Sequence, residues 1–306
     1  MALMSPRTRL IAGILSLLVV LGALGAYFYL RSTALPPFDP QGSLLLSLAL
    51  KGSSEVNLYE YDLSARELRR IAQDGNSNFD GRISLDGTRI AHIAYGPGAL
   101  ASQVVVYDPA SGERRPVTRG EAFRHSPDWS PVGSSLAFSQ DVRGGSDIYA
   151  AYLPGTPRRI GAGRYPVWSL DGRSLFALSP EGLLRYDLAS GAPAVSVWGA
   201  KGAGMKLAAS PDHSLIAWLI PSVGEVRLFK GNPVNPGELL LNATLKARAY
   251  DVAFSPDNAY AAMRILDEAK GSFSVAIERL DTGERREVLD LSPYEPRSLY
   301  LTAWKI

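Results

Sequence analysis

Few side chains in this sequence could do chemistry, and their spacing narrows the choice. Asp80, Asp128 and Asp251 are the acidic candidates. Each stands a few residues ahead of a recurring Ser-Pro-Asp-Gly-like turn, so carboxylates from separate repeats could hold a cation only by converging on one point. The three histidines are His92, His125 and His213. They occupy non-equivalent positions in the repeats, which argues for structural or solvated roles rather than one shared metal site. No H-E-x-x-H, G-x-S-x-G or phosphate-binding glycine loop occurs, so zinc-protease, serine-hydrolase and nucleotide chemistry find no motif. Without cysteine there is no thiol nucleophile, disulfide or thiolate metal site. Residues 74–80, Asp-Gly-Asn-Ser-Asn-Phe-Asp, alternate oxygen-bearing side chains in the manner of a calcium loop. An EF-hand loop needs Gly sixth and Glu twelfth, where this chain has Phe79 and Leu85. The segment reads as ordinary turn chemistry. No metal, cofactor or catalytic set is expected.

The elements that must position these groups follow from a repeat. Ser84-Leu85-Asp86-Gly87 recurs as Ser130-Pro131-Val132-Gly133, Ser169-Leu170-Asp171-Gly172, Ser210-Pro211-Asp212-His213 and Ser255-Pro256-Asp257-Asn258, at intervals of 46, 39, 41 and 45 residues. Pro presets φ, Asp bonds locally to backbone and Gly supplies a left-handed conformation. His213 and Asn258, which replace it, are types that tolerate positive φ. An apolar run rich in β-branched and aromatic residues follows each tetrad, at 89–95, 134–140, 173–179, 214–220 and 259–266. Second runs, at 103–108, 147–152, 183–187, 225–229 and 273–280, and shorter ones such as 114–118, complete a four-stranded pattern. A period near 40 with four strands is the signature of a β-propeller, one blade per repeat. Residues 43–72 look like a blade without its first strand. Thr302-Ala303-Trp304 resembles the residues before two other tetrads, so the C-terminal strand is expected to complete that blade and close a ring of six. The fold class is therefore all-β, a six-bladed propeller over residues 42–306, with no sheet edge left open to aggregation.

In such a ring the strand before each tetrad is innermost, and the loop entering it faces the central channel. Five residues before the tetrad serine lie Phe79, His125, Arg164, Met205 and Tyr250, with Tyr300 equivalent in the closing strand. Neighbouring positions add Asp80, Arg124, Tyr165, Lys206, Arg248 and Asp251. Aromatics mixed with arginine are favoured at binding hot spots, which makes this mouth the candidate partner or ligand site. Trp129, Trp168, Phe254 and Trp304, just before the turns, are read as core between blades.

Segments such as Trp129-Ser130-Pro131 leading into Leu136-Ala137-Phe138-Ser139, then Asp147-Ile148-Tyr149, resemble the WD40-like repeats of TolB-type six-bladed propellers. They are also similar to the propeller domains of prolyl-oligopeptidase-like enzymes. The resemblance spans roughly residues 42–306 and implies a binding platform in the cell envelope. It departs from TolB in lacking room for a preceding α/β domain. A prolyl-oligopeptidase-like activity would need an attached α/β-hydrolase domain, and the expectation from these residues is a propeller without one.

Residues 10–30 are 21 uncharged, mostly apolar residues. As a helix they would span roughly 31 Å, the thickness of a bilayer core. Arg7 and Arg9 precede them and Tyr27-Phe28-Tyr29 with Arg31 follows, an arrangement that keeps residues 1–9 cytoplasmic and sets aromatics at the far interface. The expectation is an uncleaved anchor, the rival reading being a cleaved signal peptide. Either reading puts the propeller outside the cytoplasm, periplasmic or at the cell surface. Residues 31–41, with Pro36, Pro37 and Pro40, form an extended linker or pack beside the first blade. Residues 35–306 carry 29 basic and 30 acidic side chains, a net of −1, which argues against nucleic acid as a partner. The functional expectation is an interaction module for an envelope protein, a peptide or a cell-wall polymer. The alternative is a small-ligand or metal-dependent propeller enzyme, lactonase- or lyase-like, working at the channel mouth.

Overall fold

The recurring tetrad explains itself in the computed structural model. Ser84, Ser169, Ser210 and Ser255 each donate Oγ–H to the Asp two residues on, at 2.5–2.6 Å. The same Oγ accepts the amide five residues on, from Arg89, Ser174, Leu215 and Tyr260. Ser and Asp thus recur because together they satisfy backbone groups that a tight turn leaves open. The fourth residue is left-handed throughout, at φ 71° for Gly87, 59° for His213 and 58° for Asn258. Val132 replaces Asp in one copy, and Ser130 Oγ donates to the Val132 carbonyl instead.

The structure describes residues 37–305 except 72–73, 200–205, 221, 223, 231–240, 247, 268–271 and 292–296. Residues 1–9 and 10–30, expected to be a cytoplasmic segment and a membrane anchor, lie outside the described residues, as do most of the expected linker and Met205. Among the described residues no helix is long and apolar enough to cross a membrane.

From Pro40 onward the described chain forms six four-stranded antiparallel sheets. Blade 2 runs from inner to outer strand as Ser77–Ile83, Ile90–Tyr95, Gln103–Tyr107 and Arg114–Pro116. The inner strands of blades 3 to 6 are Arg124–Trp129, Arg164–Trp168, Lys206–Ala209 and Ala249–Phe254. Blade 1 takes its inner strand, Ser298–Lys305, from the end of the propeller sequence and pairs it with Ser43–Ala49 from the beginning, Ser43 opposite Lys305 and Leu48 opposite Leu299. This is the expected closure, and it joins the ends of the ring by a full strand ladder.

The core lies between blades. Trp218, Phe229 and Ile216 of blade 5 pack with Val167, Phe176 and Leu178 of blade 4. Trp129, Trp168, Phe254 and Trp304 are all buried. The Trp129 indole donates to the Arg82 carbonyl of blade 2, and the Trp168 indole to the Asp128 carbonyl of blade 3. These rings fill the gap between sheets and also satisfy the preceding blade's backbone.

Candidate functional site

The mouth is shaped by a repeated irregularity. On three inner strands two residues oppose one on the neighbouring strand, between Phe79 and Arg82, His125 and Asp128, and Arg164 and Val167. The first extra residue is left-handed each time, Asp80 at φ 49°, Ser126 at 54° and Tyr165 at 55°. The second is Gly81, Pro127 or Pro166. Proline has no amide for the ladder and belongs at such a bulge. Gly81 is held there by space, because a Cβ would lie 2.7 Å from Leu45 Cδ2. Blade 6 has a smaller bulge at Tyr250. All four bulges lie near the starts of the inner strands.

Three candidates meet there as an ion network. Lys206 Nζ lies 2.5 Å from Asp251 Oδ1 and 3.9 Å from Asp80 Oδ1. Asp251 Oδ2 accepts from Arg264 Nε at 2.6 Å and from the Leu301 amide. Asp80 Oδ2 accepts from the Ser126 amide. Burial works against the Asp80 charge, but Lys206, then Arg82 and the Ser126 amide, hold its carboxyl below the usual range. Two of the three carboxylates considered as metal ligands therefore do converge, and the cation between them is an ammonium. Among the described residues no three acidic or histidine side chains are arranged to hold a metal.

Beside this network runs a track of rings. Phe123 lies 6.3 Å from Tyr95, Tyr95 5.4 Å from Phe79, and Phe79 5.8 Å from Tyr300. The Arg264 guanidinium then stands over Tyr300, Tyr250 and Phe273 at 4.7–5.4 Å. An open recess of about 470 Å³ is sunk into the track, lined by Phe79, Asp80, Tyr95, Arg124, His125 and Tyr300. His125 Nε2 pairs with Asp141 Oδ1 at 3.0 Å, and its ring lies 6.1 Å from that of Tyr165.

The remaining candidates have other surroundings. Arg124 is buried, with its guanidinium on the carbonyls of Ser102, Arg119, Gly120 and Ala122, so it staples a loop. Arg164 and Arg248 are exposed, and Arg248 lies against Gly224. Asp128 does not join the mouth. Two residues nearer its tetrad, it faces a second chamber with His213 at the other end of the channel. Arg82 acts electrostatically on both Asp80 and Asp128 and stands between the two ends. Residues 74–80 form the expected turn, of Asx type: Asp74 accepts from Asn76 and Asn78 and forms a 2.7 Å ion pair with Arg114.

Tyr95, Phe123, Arg264 and Phe273 were missed because they lie outside the inner strands. Arg264 did leave a signal, as the one charge in the apolar run Tyr260-Ala261-Ala262-Met263-Arg264-Ile265-Leu266. A charge there needs a buried partner.

Comparisons with known proteins agree with this geometry at the level of fold. No protein-family model matches the chain. A Bacillus subtilis protein, the uncharacterized peptidase YuxL, is 31% identical over 107 residues, 31% of this chain and 16% of that relative's length. TolB from Acinetobacter baumannii superimposes with a TM-score of 0.71 at 18% identity, covering 90% of this chain and 69% of that one. An oligogalacturonate lyase in complex with manganese gives 0.56 at 14%, over 82% and 74% of the two chains. A chain of a nidogen/laminin complex gives 0.63 at 10%, over 85% and 98%. The chain has the TolB-like six-bladed propeller fold.

Proposed function

We propose that this chain is a binding module that uses the channel mouth to hold a segment of another protein or a polymer, tethered outside the cytoplasm by residues 10–30. The aromatic track carries this reading. Rings in sequence across one face offer a large, rigid contact area at low entropic cost, and the recess at Phe79 and Tyr300 is the kind of pocket an anchoring group fills. The mixed polar rim, His125, Asp141 and Arg164, supplies directional contacts. Neighbours of this fold include a TolB, a nidogen/laminin complex and a manganese-bound lyase, so fold alone selects no function. Against the metal-dependent alternative, the Lys206 ammonium holds the point where a cation bridging Asp80 and Asp251 would sit.

The test is photocrosslinking in native membranes with a benzoylphenylalanine at the exposed position 123. The capture of one species, lost on Phe79→Ala or Tyr300→Ala with melting behaviour retained, is the expected result. Each truncation should weaken binding by about 30-fold, the loss of one hot spot. Capture indifferent to both truncations would overturn the reading. Mass spectrometry of the adduct separates a protein from a glycan.

A further inference from the structure

The opposite end of the channel holds a second site. The chamber there measures about 420 Å³ and is walled by the tetrad turns. Asp128 and His213 enter it from blades 3 and 5, with side chains only 11% and 5% exposed. Asp128 Oδ2 accepts from the Trp168 amide at 3.0 Å, whereas Oδ1 has no hydrogen-bond partner among the described residues. His213 Nδ1 lies 3.0 Å from the Trp168 carbonyl, which can only accept, so Nδ1 carries the proton. In the uncharged ring Nε2 is then an acceptor, and it too has no partner among the described residues. Neither atom is sealed off, and both residues line the chamber. Burial pushes the Asp128 carboxyl above the ordinary range, against the opposing influence of His213, the Trp168 amide and Arg82.

The charges of the wall point the same way. Asp86 has its own cation in Arg89 at 3.9 Å, whereas the ion-pair contact of Asp128 among the described residues is His213, also at 3.9 Å. Arg82 is shared with Asp80, and its Nη1 donates to the Thr302 carbonyl. The rest of the wall is apolar, with Val252, Ala253, Phe254 and Trp304 to one side. Two acceptors open to the chamber beside an apolar wall, one of them on a carboxylate whose nearest ionic partner is a histidine 3.9 Å away, call for a cation that has several N–H donors and a hydrocarbon stem. From this we infer that the chamber binds a small primary alkylammonium, with its donors on Asp128 Oδ1 and His213 Nε2 and its stem along Val252 to Phe254.

Isothermal titration of the full-length chain with pentylammonium chloride and with 1-pentanol tests the charge at constant stem. Binding of the amine at least about 10-fold tighter than the alcohol is expected, the value of a charge-assisted hydrogen bond. Asp128→Asn should cost the amine a similar factor and leave melting unchanged. If that variant fails to fold, His213→Asn, which suits the left-handed turn, should still weaken the amine several-fold. Equal affinity for amine and alcohol, or amine binding unchanged by these substitutions, overturns the inference. Nα-acetyl-lysine amide distinguishes the source: affinity equal to pentylammonium identifies a partner's lysine side chain, and much weaker affinity a free amine.

Discussion

The two ends of the channel are built from the same six inner strands and differ in how their charges are met. At the mouth, Asp251 is almost completely buried and has two cations within 2.6 Å, Lys206 and Arg264. At the tetrad end, Asp128 is nearly as buried, and the histidine beside it stands 3.9 Å away. One end is a finished ion network over which a partner can lie. The other is a hollow whose polar atoms are incomplete. Burial alone therefore does not mark a functional carboxylate, because the same cost of desolvation is offset at Asp251 and left standing at Asp128.

The sharpest way to break this comparison is to remove the mouth's central cation. Lys206→Met leaves Asp251 and Asp80 without their shared partner. Breaking a buried pair costs about 3–5 kcal/mol, and the lower end applies because Arg264 remains on Asp251. Urea unfolding at pH 7 should therefore show a loss of about 3 kcal/mol. A loss below about 1 kcal/mol would mean that the network is screened like a surface pair, and the contrast between the two ends would vanish.

Much of this was legible in the sequence, for physical reasons that differ from part to part. The tetrads could be read because Ser and Asp act on backbone within five residues. The closure was readable because Thr302-Ala303-Trp304 repeats the chemistry of other inner strands. The network was half readable: Asp80, Lys206 and Asp251 all stand four residues before a tetrad serine or its turn, and equal repeat positions meet on the axis. The bulges could not be read. They begin at left-handed Asp80, Ser126 and Tyr165, and no local propensity encodes a left-handed tyrosine. The Arg264 contact with Tyr300 of blade 1 likewise exists only once the ring has closed, whereas Tyr250 and Phe273 lie within its own blade.

His92 supplies a third case, a buried polar group that lines neither the recess nor the chamber. It is fully buried in the strand Ile90–Tyr95, and both ring nitrogens lack a hydrogen-bond partner. Burial, then Arg114, lowers its pKa from 6.5 to about 4, with Asp74 opposing. The folded state thus keeps the ring neutral, while the unfolded chain takes up a proton below pH 6.5. Stability from this group is complete above pH 6.5 and falls as pH drops toward 4. Between pH 6.5 and 5 the loss should reach about 2 kcal/mol. His92→Leu should flatten that part of the profile, measured by urea midpoints across the window. A wild-type profile already flat there would show that the ring nitrogens are solvated.

The smallest expected effect discriminates best between the two ends. Because the folded Asp128 carboxyl titrates above its unfolded value, the native state binds its proton more readily than the unfolded chain does. The group therefore destabilises the fold as pH rises through the carboxylate range, and the deficit persists at pH 7. Asn at this position still accepts from the Trp168 amide but carries no charge to desolvate. Asp128→Asn should consequently leave stability at pH 7 unchanged or raise it by up to about 1 kcal/mol, and the difference from wild type should shrink below pH 4. A loss comparable to that of Lys206→Met would show Asp128 to be a satisfied structural carboxylate. The charge deficit that sets the chamber apart from the mouth would then not exist.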